Sequence, residues 1–192
     1  MLALAFLFLQ LKMKHFTCFL ILLLLSSTLC AQSIFQGKGK VGFVSDAPLE
    51  LIKAETEALV GVVNQATMNF AFKVNITTFD GFNSALQKEH FNEHYLETKK
   101  FPDATFLGKI LLEEVCESGC EVKAVCKGKF KIHGVTQIVT IPMLYSFKED
   151  TLFISGEFVV LLADYNIKIP RIVQAKISPE IKVNVEIEMM KQ

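Results

Sequence analysis

The sequence has no excess of either charge, and this lack argues against one large class of function. Its 20 Lys and Arg residues are matched by 20 Asp and Glu residues. A nucleic-acid-binding protein needs a concentrated basic face to neutralise phosphates. Without residues 1–31, which carry two lysines and no acid, 18 basic and 20 acidic residues remain, a net charge near −2. We therefore expect no nucleic acid among the partners.

The sequence also lacks any apolar run after residue 31 that is long enough to cross a bilayer. Before that point, Lys12 and Lys14 precede an apolar run at 16–25, small polar residues at 26–28 and then Cys30 and Ala31. This order is typical of a secretory signal, with cleavage after Ala31. The pattern predicts a periplasmic or secreted protein that is soluble once the signal is removed.

The predicted signal has an unusual prefix, and Met13 is a more natural start than Met1. A lipoprotein signal needs a small residue before the modified cysteine, but Leu29 precedes Cys30, so we disfavour a lipid anchor. The remaining residues 32–192 have the length of a single domain.

Catalytic signatures are scarce. The sequence has no Gly-x-Ser-x-Gly elbow, which argues against serine hydrolase chemistry. His90, Glu93 and His94 do match H-x-x-E-H, the spacing of an inverted zincin. Such a site needs a third ligand from a second helix, and the sequence predicts only one helix. We therefore expect neither metal nor catalysis, with a zinc hydrolase as the least favoured alternative.

A period of two dominates residues 32–192 and predicts β-strands. The predicted strands are Lys40 to Val44, Leu51 to Val63 with a break at Gly61, Thr67 to Thr78, Val135 to Tyr145, Thr151 to Leu161 and Ile181 to Met189. Only residues 84–98 have a helical pattern, with Ser84 as the cap. We predict an all-β fold, an antiparallel barrel of about eight strands with one short helix near its mouth.

Two motifs carry a family resemblance. Phe101, Pro102, Ala104 and Phe106 follow an acidic-aromatic helix, and the later stretch 130–136 reads FKIHGVT. With this spacing the chain resembles the YceI-like family from Val41 to Glu188, although the family's early Asp-x-x-His-Ser segment has no counterpart. The resemblance implies an elongated, lipocalin-like barrel that binds polyisoprenoid or similar lipids. The lack of Trp removes the Gly-x-Trp strand of true lipocalins, so the likeness to them is one of shape.

A cysteine hairpin allows one strand register to be derived. If residues 117–119 form a three-residue turn, Cys116 faces Cys120 and paired positions sum to 236. Apolar pairs then share one face and charged pairs such as Glu113 and Lys123 share the other. Cys116 and Cys120 would be close enough for a disulfide in an exported protein, which leaves Cys126 as a buried thiol. The facing pair Gly108 and Gly128 indicates a sharp bend or, less readily, space inside the barrel.

The inward positions are apolar and almost free of charge, so the barrel is predicted to hold a hydrophobic guest. Each buried methylene contributes about 0.8 kcal/mol, which favours a long chain. The candidate ligand-binding residues, in the interior and in a lid over the mouth, are Phe70, Phe72, Val74, Ile76, Phe79, Phe82, Leu86, Phe91, Phe101, Phe106, Ile110, Phe130, Val139 and Ile141. For each residue of the lid set taken singly, which is Phe79, Phe82, Leu86, Phe91 and Phe101, simple core packing is the favoured explanation.

We therefore expect a non-catalytic carrier of a polyisoprenoid, quinone or similar lipid, with no other cofactor. The alternative is a filled barrel that acts as an interaction module for another envelope protein, and transient contact with a membrane stays open. A charged head group would need cations at the mouth, for which the sequence offers Lys88, Lys99, Lys100 and Arg171.

Overall fold

The computed structural model describes residues 33–114 and 119–192, which form a closed barrel of eight antiparallel strands. The strands follow one another around the barrel in chain order, and β8 closes on β1. Their bounds are β1 Ile34–Ala47, β2 Glu50–Asn64, β3 Asn69–Asn75, β4 Asp103–Leu112, β5 Cys120–Ile132, β6 Val135–Lys148, β7 Thr151–Leu161 and β8 Glu180–Lys191. The predicted all-β barrel is confirmed. The predicted signal at 1–31 lies outside the described residues.

Alternation along each strand decides which side chains enter the core. In β8, Ile187 and Met189 are buried while Glu186 and Glu188 are exposed. Because successive side chains of a strand point to opposite faces, this pattern fills the barrel with apolar groups and coats it with charge. β3 is shorter than predicted because Asn75 accepts a hydrogen bond from the Thr77 amide and starts a 3₁₀ turn at Ile76–Thr78.

The predicted break at Gly61 is wrong. β2 runs without interruption from Glu50 to Asn64. A side chain is excluded at Gly61 because an added Cβ would lie 2.5 Å from Cδ1 of Phe72 and 2.6 Å from Cδ1 of Ile187. This glycine makes room for large core side chains inside a regular strand.

The register derived for β4 and β5 is confirmed. Phe106 pairs with Phe130, Gly108 with Gly128, and Ile110 with Cys126, each pair summing to 236. A Cβ on Gly108 would lie 2.6 Å from the Gly128 Cα and would also meet the Lys127 carbonyl. The backbone of the partner strand occupies the place where a side chain would be, so the two strands approach each other closely here.

The two ends of the barrel differ. Connections 48–49, 76–102, 133–134 and 162–179 lie at one end, which we call the mouth. The other end holds connections 65–68 and 149–150 and is packed solid, because Phe35, Val63, Leu152 and Met189 are fully buried there. Cys116 lies outside the described residues, so the predicted disulfide stays a prediction.

The predicted helix is present but shorter. The helix α1, Ala85–His90, begins at Ser84, whose hydroxyl accepts a hydrogen bond from the Gln87 amide. It widens into a π turn at Phe91–Tyr95. The helix stops there instead of at Thr98, because Glu97 has a positive φ of 44°. No helix among the described residues is long and apolar enough to cross a membrane.

The barrel wall has a slit beside the mouth. β6 and β7 pair only from Leu144 to Lys148 against Thr151 to Ser155. The mouth-side halves of these strands, residues 135–143 and 156–161, pair with β5 and β8 but not with each other. We call the unpaired stretch the β6/β7 slit.

Candidate functional site

The mouth half of the barrel is hollow. It contains a cavity of about 450 Å³ whose wall is formed by residues from all eight strands and from the connections at the mouth. Most strand side chains on this wall are apolar, and they include Val41, Leu59, Phe72, Met143 and Val185. Below them lie Phe70, Ile110 and Ile154, all buried. The cavity is therefore a pocket with a closed floor.

Four phenylalanines form a cluster beneath the helix. Phe91 stacks on Phe43 with ring centroids 5.3 Å apart and planes 13° apart. Phe82 and Phe79 contact Phe91 at 5.0 and 6.1 Å. Aromatic pairs in such contacts stabilise a structure by about 0.5–1.5 kcal/mol beyond their buried area. This cluster, which we call the lid cluster, joins the helix to β1 over the cavity.

Polar contacts fix the lid at its edges. Gln87 donates a hydrogen bond of 2.9 Å to Glu50 Oε1 on β2. The amide of Thr98 donates to the Asn92 carbonyl at 2.8 Å, and the Leu96 amide donates to the Phe91 carbonyl at 3.0 Å. The last of these bonds spans five residues and places Leu96, which is buried, against the cavity. The helix is thus tied to β2 through Gln87, and the segment after it is closed by its own hydrogen bonds.

The connection from β7 to β8 forms the other side of the mouth, which the sequence did not predict. Ile167, Val173 and Ile177 line the cavity from this segment. The amide of Ser178 donates to Ser45 Oγ at 2.9 Å, so the segment is tied to β1. Its apolar residues follow neither a helical nor a strand period, and no sequence signal marks it.

His133 joins the two sides of the mouth. This residue has a φ of 51° and forms the tight β5–β6 turn with Gly134. Its Nδ1 lies 2.9 Å from the Tyr165 carbonyl and its Nε2 lies 3.2 Å from Glu97 Oε2. The ring therefore bridges the β7–β8 connection and the segment that follows the helix. Phe101 packs edge-on against the His133 ring at 5.2 Å.

Few charged groups line the cavity, and Glu50 is one of them. Lys73 lies on its wall but is paired with Asp103 at 2.9 Å. Lys176 lies at the mouth and is exposed. Burial raises the pKa of the Tyr95 phenol, which also lines the cavity, so this group stays neutral at ordinary pH. The polar groups present can bind a neutral or weakly polar end of a ligand.

The four cations considered for a head group are not on the cavity wall. Lys88 pairs with Asp80, where the Gly81 amide and then Lys88 lower the pKa of the carboxyl. Lys99 pairs with Glu93, and Lys100 lies 4.8 Å above the Phe101 ring. Arg171 is exposed in a 3₁₀ turn at Arg171–Val173.

The structure brings most of the candidate ligand-binding residues together. Those on the cavity wall are Phe72, Val74, Ile76, Phe79, Phe82, Leu86, Phe91, Phe106 and Phe130. Phe70 and Ile110 lie below the floor, and Phe101 packs on the β5–β6 turn. Val139 and Ile141 line a cleft at the β6/β7 slit instead. Phe43, Phe158 and Val183 line the cavity but were missed, although their alternation in β1, β7 and β8 could have indicated it.

The H-x-x-E-H motif does not form a metal centre in the described residues. The rings of His90 and His94 lie 5.3 Å apart, but the Glu93 carboxylate accepts a hydrogen bond from Lys99 in a 2.7 Å ion pair. The Lys99 ammonium lowers the pKa of the Glu93 carboxyl. No group of three His, Cys, Asp or Glu residues that could hold a metal occurs in 33–114 and 119–192.

Comparison with known proteins agrees with this architecture. Residues 38–189 match the YceI-like domain. A polyisoprenoid binding domain from Saccharophagus degradans, implicated in plant cell wall breakdown, has a similar fold with a TM-score of 0.68 at 11% identity, covering 82% of this chain and 98% of its own. Burkholderia cenocepacia BcnA gives a TM-score of 0.62 at 16% identity, covering 78% of this chain and 95% of its own.

The YceI protein of Campylobacter jejuni is also similar, with a TM-score of 0.57 at 17% identity, covering 73% of this chain and 85% of its own. The search of curated proteins finds no match. The domain match spans far more than half of the sequence and includes every strand of the barrel apart from the first residues of β1 and the last of β8. The chain belongs to the YceI-like family.

Proposed function

We propose that this protein is an exported, non-catalytic carrier that holds one long apolar chain in the barrel cavity. The supporting observation is the hollow mouth half, about 450 Å³ with an almost wholly apolar wall. This volume falls within the range of about 300–1,000 Å³ for small-molecule sites. Each methylene placed there gains about 0.8 kcal/mol, so a long chain binds better than a short one.

A polyisoprenoid, a quinone tail or a similar lipid fits this site best. Family membership supports the choice, since a structural neighbour is a polyisoprenoid binding domain. The scarcity of unpaired cations on the wall favours a neutral head group over a pyrophosphate. Export rests on the secretory pattern of residues 1–31.

The first experiment identifies the guest. The protein is purified from its own host and denatured, and the organic extract is analysed by mass spectrometry. A stoichiometric isoprenoid or quinone is the expected result. An empty extract, with no uptake of a long-chain quinone offered afterwards, would contradict the proposal and favour a barrel that works through its surface.

A matched pair of variants tests the location of the site. Val183 lies on β8 between Phe43 and Phe158, and it lines the cavity. Val183→Trp should fill the space and reduce quinone uptake at least about tenfold, because the guest and the indole compete for one volume. Val60→Trp, at an exposed position on the outside of β2, is the control and should bind normally. Equal uptake by both variants would place the guest elsewhere.

A further inference from the structure

The outer side of the β6/β7 slit has exposed apolar side chains on both lips. Ile138 on β6 is 73% exposed and Val159 on β7 is 53% exposed. Pro142 and Leu161 extend the two lips and are exposed as well. Single exposed apolar residues are ordinary, but a contiguous apolar patch marks a binding surface. None of these four side chains lines the main cavity.

Lysines border this apolar strip on the β5 side. Next to β6, Lys127, Lys129 and Lys131 point outward from β5, and Lys129 pairs with Ile138. On the far side, Lys182 of β8 pairs with Val159 and Glu180 pairs with Leu161, so the other lip has one neighbour of each charge. Side chains at paired positions lie about 4.5–5.5 Å apart at Cβ, so the basic and apolar groups form one surface. Glu157 is the one carboxylate that the described lips carry outward.

The three lysines of β5 beside the slit, which we call the β5 lysines, pair with no carboxylate of the described residues. None of Lys127, Lys129 and Lys131 forms a salt bridge within the described residues. Lys127 also faces Lys109 directly across β4 and β5. Like charges at facing positions destabilise a sheet. These lysines therefore leave unpaired positive charge on the surface, at some cost in stability. Such a surface is complementary to an external anionic surface.

The slit also lies close to the cavity. Phe130, Phe158 and Val160 line both the main cavity and the cleft at the slit. Tyr165, which is buried, fills the cleft from the 3₁₀ turn at Leu162–Tyr165 and packs edge-on against Phe130 at 5.5 Å. A surface bound at the lips would therefore lie one layer of side chains from the cavity.

We propose that the slit face docks on an anionic phospholipid bilayer, with Ile138, Pro142, Val159 and Leu161 entering the interface and the β5 lysines contacting the head groups. Apolar groups flanked by cations are the pattern of interfacial binding. This docking does not depend on which guest the cavity holds. It would bring the side of the carrier against the membrane.

Because the sequence contains no Trp, a single introduced Trp is an unambiguous fluorescent reporter. Ile138→Trp places a single indole on the lip, and Leu51→Trp places one at an exposed position on β2, four strands away around the barrel. With vesicles of phosphatidylcholine and phosphatidylglycerol in equal amounts, the Ile138→Trp emission should shift to the blue and the Leu51→Trp emission should not. A shift in both variants or in neither would overturn the proposal.

Cosedimentation tests the role of charge. Each lysine near an anionic surface contributes about fivefold in affinity, so Lys127→Gln, Lys129→Gln and Lys131→Gln together should weaken binding about a hundredfold. The control carries Lys38→Gln, Lys53→Gln and Lys191→Gln, which make the same charge change on other exposed lysines. High salt should release the protein, because screening shortens the reach of exposed charges.

Three results would overturn the docking proposal. They are equal binding to pure phosphatidylcholine, equally tight binding to soluble polyglutamate, and concentration-dependent dimerisation that Ile138→Trp abolishes. Quinone uptake is measured in parallel on the same variants. Because the β5 lysines do not line the cavity, uptake should be unchanged, so loss of docking and failure of the carrier function are separable.

Discussion

At the scale of single residues, the absence of a side chain is as decisive as its presence. Gly108 and Gly128 face each other, and the carbonyl of Leu107 or Lys127 lies where a Cβ would be. Gly42 is different, because its added Cβ would meet only the Asn184 side chain at 2.7 Å. Backbone cannot yield locally, whereas the end of a side chain can rotate away.

This contrast predicts unequal effects of alanine. Gly108→Ala should lower the free energy of unfolding by about 1–3 kcal/mol or more, since the two strands must separate to admit the methyl group. Gly42→Ala should cost clearly less. Urea unfolding followed by circular dichroism measures both variants. A smaller loss for Gly108→Ala than for Gly42→Ala would contradict the close approach of the β4 and β5 backbones.

Cys126 provides a second test at this scale. Burial beside Ile110 raises the pKa of its thiol to about 12. At pH 8 about one molecule in ten thousand then carries the reactive thiolate. We expect no alkylation of Cys126 by iodoacetamide in the folded protein and full alkylation in urea, with the modified peptide identified by mass spectrometry.

The same shift has a defined sign for stability. A folded-state pKa above that of an exposed thiol favours the folded state at neutral pH. That contribution is present below about pH 8.5 and is lost as the pH rises toward 12.

Rapid alkylation of the folded protein at pH 8 would show that the thiol is accessible and that the packed end opens.

At the scale of elements, the lid depends on one aromatic side chain. Phe91 contacts Phe43, Phe79 and Phe82, whereas Leu86 on the same helix is 58% exposed. Phe91→Ala should destabilise the lid by about 1–3 kcal/mol, because three ring contacts are lost at once. Amide hydrogen exchange in residues 84–98 should become faster.

Leu86→Ala is the matched control on the same helix. It should leave the exchange rates of residues 84–98 nearly unchanged, since little buried area is lost. If both variants accelerate exchange equally, the lid is held by its polar edge contacts, such as Gln87 with Glu50, and not by the aromatic cluster.

The elements differ in how much of their structure could be predicted from the sequence. The β4–β5 register was predictable because two chemically distinct faces, with a three-residue turn assumed at 117–119, leave only one pairing. The break at Gly61 was not, because the glycine serves Phe72 and Ile187, which come from other strands. The residues of 162–179 that line the mouth have no periodic pattern, so their contribution to the site depends on tertiary packing alone.

At the scale of the whole molecule, the close backbone approaches fall at two opposite seams. Gly37 and Gly39 bring β1 onto β8, and Gly108 and Gly128 bring β4 onto β5. These seams divide the barrel into β1–β4 and β5–β8. Whether the space between these two sets of strands is filled depends on the summed volume of side chains from all eight strands. The sequence therefore predicted an apolar interior but not which half of the barrel is hollow.

In the proposed carrier, the solid end of the barrel would limit how far the cargo enters. A chain that enters at the mouth can advance only to Phe72, Phe106 and Met143, because Phe70, Ile110 and Ile154 fill the space beyond them. The depth of the cavity therefore sets the length of chain that the barrel would enclose. Affinity for a series of isoprenoid alcohols should rise with each unit added and then reach a plateau, measured by competition with a fluorescent fatty acid. Units beyond that length remain outside, so two lipids with the same head and tails of unequal length would be held with equal strength yet present different lengths of free chain.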